Sequence, residues 1–93
     1  MTTKRYESVW DAISGSAAEA ENMKLRSALM MELKSVIERR KLSQAAAAKL
    51  LGVTQPRISD LMRGKINLFS LDMLVTMLGA AGLRVSLTVK KAA

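Results

Sequence analysis

The sequence has no cysteine and no histidine, and only 3% of its residues are aromatic. Without cysteine, the chain can form neither disulfides nor thiolate metal sites. Without histidine, it lacks the commonest metal ligand and the commonest general base at neutral pH. The remaining side chains form no catalytic dyad, nucleophile elbow or phosphate-binding loop. We therefore expect no enzymatic activity, no metal site and no cofactor.

Long apolar runs are also missing. No run approaches the roughly 20 residues that a membrane-spanning helix needs, and the first residues lack the apolar stretch of a signal peptide. These features predict a cytoplasmic protein that does not contact a membrane. The length of 93 residues fits one domain. With one Trp, one Tyr and one Phe, its core must be aliphatic.

Positive charge is what the sequence has in excess. Fifteen Lys and Arg residues against eight Asp and Glu residues give a net charge of +7. Residues 1–40 carry seven basic and six acidic side chains, whereas residues 41–93 carry eight basic and two acidic ones. A positive field on one half of the chain indicates a polyanionic partner such as nucleic acid. The alternative is a basic surface that only aids solubility.

The apolar pattern predicts four helices. A long one over residues 17–40 carries an apolar stripe at helical spacing, formed by Leu25, Leu29, Leu33, Val36 and Ile37. Two short ones follow over residues 44–51 and 55–62, and the fourth begins after residue 70. Each of the last three is preceded by a hydroxyl side chain that can cap it, namely Ser43, Thr54 and Ser70. The fourth has its apolar face at Leu71, Leu74, Val75 and Leu78.

Both ends of the chain lie outside this helical pattern. Residues 1–17 form an N-terminal segment in which Tyr6, Val9, Trp10 and Ile13 have the spacing of a short amphipathic helix. Trp10 either packs on the domain, the commoner fate of a lone Trp, or belongs to a partner surface. Residues 83–89 alternate apolar and polar side chains, which predicts one β-strand. That strand pairs either with its copy across a dimer axis or with an extended N-terminal segment.

Residues 43–65 have the spacing of a helix-turn-helix. Ala48 is small where two helices must approach, Gly52 makes the turn, and Val53 fills the angle between the helices. The stretch SQAAAAKLLGVTQPRISDLMRGK resembles the helix-turn-helix of phage Cro and repressor proteins, the XRE family. Residues 8–13, 22–27 and 64–70, together with the final strand, resemble a narrower branch, the HigA-like antitoxins. These segments read SVWDAI, NMKLRS and GKINLFS.

The resemblance implies a mainly α-helical, lambda-repressor-like bundle of four to five helices, with one C-terminal strand that pairs across a dimer. Residues 18–93 would form this domain. It also implies a homodimer that binds double-stranded DNA, because one helix-turn-helix covers only half a site. The residues expected at the DNA are Gln44, Thr54, Gln55, Pro56, Arg57, Ser59, Asp60, Arg63 and Lys65.

The expected roles of these residues differ. Gln55 can pair with adenine, and Arg57 with guanine or a phosphate. Asp60 could accept a hydrogen bond from cytosine, although an ion pair with Arg57 or Arg63 is favoured. The ring of Pro56 could contact a thymine methyl group. Gln44, Arg63 and Lys65 are expected at backbone phosphates, whereas for Lys49 a solvated surface charge is favoured.

The leading hypothesis is a transcriptional repressor that is the antitoxin of a toxin-antitoxin pair. HigA-like antitoxins bind a small ribonuclease toxin and repress their own operon. The alternative is a solitary phage-type or host regulator with no toxin. A third hypothesis is an RNA-binding or protein-interaction module. The scarcity of aromatic side chains argues against stacking on single-stranded RNA.

Overall fold

The computed structural model describes residues 17–91, and this part of the chain contains four α-helices. They are α1 (Ala17–Arg39), α2 (Gln44–Leu51), α3 (Gln55–Met62) and α4 (Leu71–Ala80), with a 3-10 turn at Ile66–Leu68. The helices predicted from the sequence are confirmed, and the bounds of α1 differ by one residue. The amphipathic helix expected between Tyr6 and Ile13 lies outside the described residues.

Hydroxyl side chains cap the last three helices as the sequence predicts. The Ser43 Oγ accepts a hydrogen bond from the Ala46 amide at 3.1 Å, and the Ser70 Oγ accepts one from the Met73 amide at 3.1 Å. At α3, the Thr54 Oγ1 accepts from the Arg57 amide at 3.3 Å. Each cap satisfies one of the amides that the first turn of a helix leaves without a partner. Because these contacts are local, the sequence pattern was sufficient to place them.

The end of α1 could not be predicted in the same way, because no glycine stands there. Lys41 takes up a left-handed conformation with φ of 52°, and the Leu42 amide then donates to the Ile37 carbonyl at 3.0 Å. This is the hydrogen bond that commonly closes a helix at its C-terminal end. A side chain with a β-carbon is strained in that conformation. The turn into α2 therefore carries a small backbone cost.

All four helices contribute to one core. Its centre consists of side chains with 0% exposure from each helix: Leu33 of α1, Ala47 of α2, Ile58 and Leu61 of α3, and Leu74 of α4. Phe69, which follows the 3-10 turn, is also buried in it. Packing of this kind fixes α2 and α3 against the longer α1 and α4. The prediction of an aliphatic core is confirmed, and within residues 17–91 Phe69 is its one aromatic member.

Two of the residues predicted for apolar helix faces lie at the surface instead. Leu25 of α1 is 46% exposed and Val75 of α4 is 43% exposed, whereas Met30 and Met77 are buried. Leu25 and Val75 both line an open apolar groove between α1 and α4. The apolar pattern on these helices is wider than the core that they enclose. Periodicity alone does not distinguish the buried part of such a face from its exposed edge.

The C-terminal segment, residues 83–91, forms neither helix nor strand in the described structure. Val85 is half-buried against the core, but Leu87 and Val89 are 77% and 91% exposed. A strand needs a partner for its backbone hydrogen bonds, and the described residues 17–91 supply none. The strand predicted for residues 83–89, and its pairing across a dimer, therefore stay predictions.

Within residues 17–91, no helix has both the length and the apolar character required to cross a membrane.

Candidate DNA interface

The turn between α2 and α3 has the geometry that the sequence predicts. Gly52 lies in the left-handed region, with φ of 71° and ψ of 33°, and the Val53 amide donates to the Ala48 carbonyl at 3.0 Å. Ala48 is buried between the helices together with Ile58. A β-carbon on Gly52 would meet no atom within 4 Å. Glycine is therefore favoured here by the backbone angle and not by lack of space.

Helix α3 divides into a buried face and an exposed face. Ile58 and Leu61 are fully buried, and Met62 packs against the core with part of its surface. The exposed face begins at the N-terminal end of the helix. Six of the nine residues predicted at the DNA are exposed, and they are Gln44, Thr54, Gln55, Pro56, Arg63 and Lys65. They lie at the N-terminal ends of α2 and α3 and just beyond the C-terminal end of α3.

The other three predicted residues, Arg57, Ser59 and Asp60, are half-buried. Arg57 already has partners within the protein. Its Nη1 donates to the Leu68 carbonyl at 2.9 Å, and its guanidinium carbon lies 5.5 Å from the centre of the Phe69 ring. No sequence pattern indicates this contact, because the acceptor is eleven residues away in a turn with no side-chain signature.

Asp60 forms an ion pair, but not with the partners expected from helical spacing. Its Oδ1 lies 3.9 Å from the Nζ of Lys65, which is just beyond the end of α3. The Lys65 amide also donates to the Asp60 carbonyl at 3.0 Å, so the backbone folds back and brings the two side chains together. At this distance and exposure the pair contributes little to stability. The expected pairing with Arg57 or Arg63 is replaced by pairing with Lys65.

Comparison with known proteins identifies the family. A model of the helix-turn-helix domain family matches residues 14–90. A solved structure described as an XRE family transcriptional regulator has 39% sequence identity and a TM-score of 0.74, covering 80% of this chain and 83% of that one. This chain belongs to the XRE family of helix-turn-helix proteins. A comparison with curated proteins found no match.

The helix-turn-helix is a DNA-binding motif whose second helix enters the major groove. This XRE-family protein is accordingly a DNA-binding transcriptional regulator. The family model spans all nine residues predicted at the DNA but assigns a role to none of them. The exposed surface on α2 and α3 lies in the more basic part of the chain, residues 41–93. Positive potential in that part favours approach to the phosphate backbone.

One residue of structural importance was missed in the sequence, and it is Arg26 of α1. Its Nε donates to the Asn22 Oδ1 at 2.7 Å, and its Nη1 donates to the carbonyls of Ile66 and Phe69 at 3.2 and 3.4 Å. The pattern of α1 marks Arg26 only as a polar residue between apolar ones. Its main partners are 40 and 43 residues away, so no local signal could have indicated them.

Proposed function

We propose that this XRE-family regulator is a sequence-specific repressor that binds operator DNA as a homodimer. The observation that carries the proposal is the exposed first turn of α3, where Gln55 and Pro56 stand free of the core. In a helix-turn-helix, residues at that end of the second helix meet the base edges in the major groove. The proposed activity is binding alone, with no catalytic step.

Within this surface, different residues have different proposed roles. Gln55 has the amide geometry for paired hydrogen bonds to adenine, and the Pro56 ring offers apolar contact to a thymine methyl group. Gln44, Arg63 and Lys65 are proposed to contact phosphates, which position the protein without specifying a sequence. The Thr54 hydroxyl accepts a hydrogen bond within its cap, which leaves its proton free to be donated to a phosphate.

Half-burial limits the contact that Ser59 and Asp60 can make with DNA. Both lie further along α3 than Gln55, and Asp60 is paired with Lys65. Direct contact of Asp60 with a cytosine amino group would require the pair to open, which costs little because the pair is weak. Arg57 is left out of the set of base-contacting residues, since its guanidinium is engaged by Leu68 and Phe69.

The dimer is proposed to form through residues 83–89. Leu83, Leu87 and Val89 are large apolar side chains exposed on this segment. The groove between α1 and α4 lies beside it and is lined by Leu25, Leu29, Leu71 and Val75 as well as by Val85 and Leu87. Two copies of the segment paired across a two-fold axis would satisfy their free backbone groups and bury this apolar surface.

Within this role, we propose that the chain is the antitoxin of a toxin-antitoxin pair. The support is its resemblance to HigA-like antitoxins over residues 8–13, 22–27, 64–70 and the C-terminal segment. The partner would be a small ribonuclease toxin. A solitary regulator with the same DNA-binding surface is the competing function, and a gene for a small basic ribonuclease-like protein beside this one would distinguish them. Co-expression of the two should then give a complex without ribonuclease activity.

DNA binding is tested by titrating the duplex upstream of the gene and a scrambled duplex, at about physiological salt. Wild type should prefer the upstream duplex. Gln55→Ala should lose about 1–3 kcal/mol of binding and relax the sequence preference, whereas Lys65→Ala should weaken all duplexes alike. Lys49→Ala, on the exposed side of α2, is the matched control and should bind like wild type. Equal weak binding to both duplexes, falling steeply with salt, would mean that charge alone is responsible.

Dimer formation is tested by sedimentation equilibrium at micromolar concentration. Wild type should be a dimer, and Leu87→Lys should be a monomer because it places a charge among paired apolar side chains. Thr88→Lys is the control, since neighbouring residues of a strand point to opposite faces. A wild-type monomer, or an equal effect of the two substitutions, would refute the proposed pairing.

A further inference from the structure

Two arginines from different helices hold the same short segment, residues 66–69. Arg57 of α3 donates from Nη1 to the Leu68 carbonyl at 2.9 Å. Arg26 of α1 donates from Nη1 to the carbonyls of Ile66 and Phe69, at 3.2 and 3.4 Å. Charged donors make shorter and stronger hydrogen bonds than neutral ones. The segment therefore links the N-terminal part of α3 to α1 through three hydrogen bonds from charged donors.

The side chain of Phe69 anchors the segment, residues 66–69, in the core. Phe69 is 2% exposed and belongs to the core that joins all four helices. The guanidinium carbon of Arg57 lies 5.5 Å from the centre of its ring, within the range of a cation–π interaction. Arg57 thus rests on a side chain that cannot move independently of the core. The same guanidinium therefore makes both a hydrogen bond to the segment and a contact with its ring.

Arg57 stands in the first turn of α3, immediately after the two residues proposed to meet the bases. Gln55 and Pro56 precede it, and its amide donates to the Thr54 Oγ1 that caps the helix. Arg57 therefore holds the first turn of α3 in two ways. Its backbone amide binds the cap residue, and its side chain binds residues 66–69. Gln55 and Pro56 make no comparable contact and are exposed.

We infer that Arg57 is a positioning residue, which sets the orientation of the first turn of α3 and does not itself contact a base or a phosphate. Its two internal contacts hold Gln55 and Pro56 in one orientation relative to the core. Preorganisation of this kind raises affinity, because the turn that carries Gln55 and Pro56 does not have to be ordered when DNA binds. The inference deepens the proposed function and rests on α3 being the helix that contacts DNA.

The test compares Arg57→Ala with wild type on the preferred duplex and on duplexes with single base changes, over a range of salt concentrations. We expect affinity for every duplex to fall by about threefold to tenfold, as for a residue that acts through a packed element. The order of base preference and the slope of affinity against salt should stay as in wild type. The amides of Leu68 and Phe69 donate within the 3-10 turn and should exchange with solvent faster.

A second variant loosens the same contact without removing a charge. Phe69→Leu takes away the ring below Arg57 and keeps an apolar side chain in the core. It should lower affinity with the salt slope unchanged, as Arg57→Ala does. Both variants are measured at a temperature where circular dichroism shows them fully folded, so that lost stability does not imitate lost binding.

Each other outcome would overturn the inference. A changed preference at one base pair in Arg57→Ala would make Arg57 a base-contacting residue. A salt slope lower by about 0.9, with Phe69→Leu binding like wild type, would make it a phosphate contact. Unchanged affinity in both variants would mean that the contact of Arg57 with residues 66–69 stabilises the fold but has no part in DNA binding. Failure of wild type itself to distinguish duplexes would refute the proposed function, and it would be seen before any variant is compared.

Discussion

Gly52 allows the cost of the helix-turn-helix geometry to be measured directly. Its φ of 71° lies in the left-handed region, yet a β-carbon there would meet no atom within 4 Å. Any loss of stability in Gly52→Ala must therefore come from the backbone angle alone. That angle costs a residue with a β-carbon about 1–2 kcal/mol. Alanine regains roughly 0.4–1 kcal/mol because it restricts the unfolded chain. The free energy of unfolding should thus fall by about 1 kcal/mol.

The measurement is urea denaturation followed by far-ultraviolet circular dichroism, with the melting temperature as a second readout. For a domain of this size, a loss of 1 kcal/mol corresponds to about 4–8 °C in Tm. Gly52→Asn should lose less than Gly52→Ala, because asparagine tolerates the left-handed conformation better than other residues with a β-carbon.

Gly79 is the matched control. A β-carbon on Gly79 also meets no atom within 4 Å, but Gly79 lies within α4 and has no positive φ. Gly79→Ala should therefore raise stability by roughly 0.5 kcal/mol through better helix propensity. The reasoning would be refuted if both alanine variants were destabilised alike. It would also be refuted if Gly52→Ala lost more than about 3 kcal/mol, a loss that only a steric clash would explain.

Three further substitutions and one control test the local interactions described above, each by the same denaturation experiment. Thr54→Ala should lower the free energy of unfolding by about 1 kcal/mol, because it removes the cap of α3. Thr76→Ala, which removes an exposed hydroxyl within α4, is the control and should stay within about 0.5 kcal/mol of wild type. Equal losses in the two variants would contradict the capping role. Lys41→Gly should raise the free energy of unfolding by about 0.5 kcal/mol, because glycine adopts the left-handed conformation after α1 without strain. A decrease would show that the φ of 52° at Lys41 carries no strain. Asp60→Ala should change the free energy of unfolding by less than about 0.5 kcal/mol, since its ion pair is long and only partly buried. A larger loss would mean that the pair matters to the fold.

The parts of the fold that could be predicted are those that depend on neighbours in sequence. Ser43, Thr54 and Ser70 cap helices through amides three residues away, and Gly52 turns the chain at its own position. Such interactions need no knowledge of the tertiary structure. The same holds for the division of α3 into a buried and an exposed face, which follows from helical spacing.

The parts that could not be predicted depend on contacts between distant segments. Arg57 and Arg26 find their acceptors at residues 66–69, where the accepting groups are backbone carbonyls that any sequence would supply. Leu25 and Val75 have the spacing of core residues but lie at the edge of the packed surface. The same limit applies to Asp60, whose partner is determined by how the chain turns after α3.

The exposed first turn of α3 has a consequence for how this regulator can diversify. Gln55 and Pro56 contribute no side chain to the core. If they contact the bases as proposed, exchanging them would alter the recognised sequence while leaving the core packing unchanged. Arg57, only one residue further along, is fastened to the Leu68 carbonyl and the Phe69 ring. On the proposed roles, duplicated copies of such a gene could acquire new operators through exchanges at these two positions, while the framework that presents them is inherited unchanged.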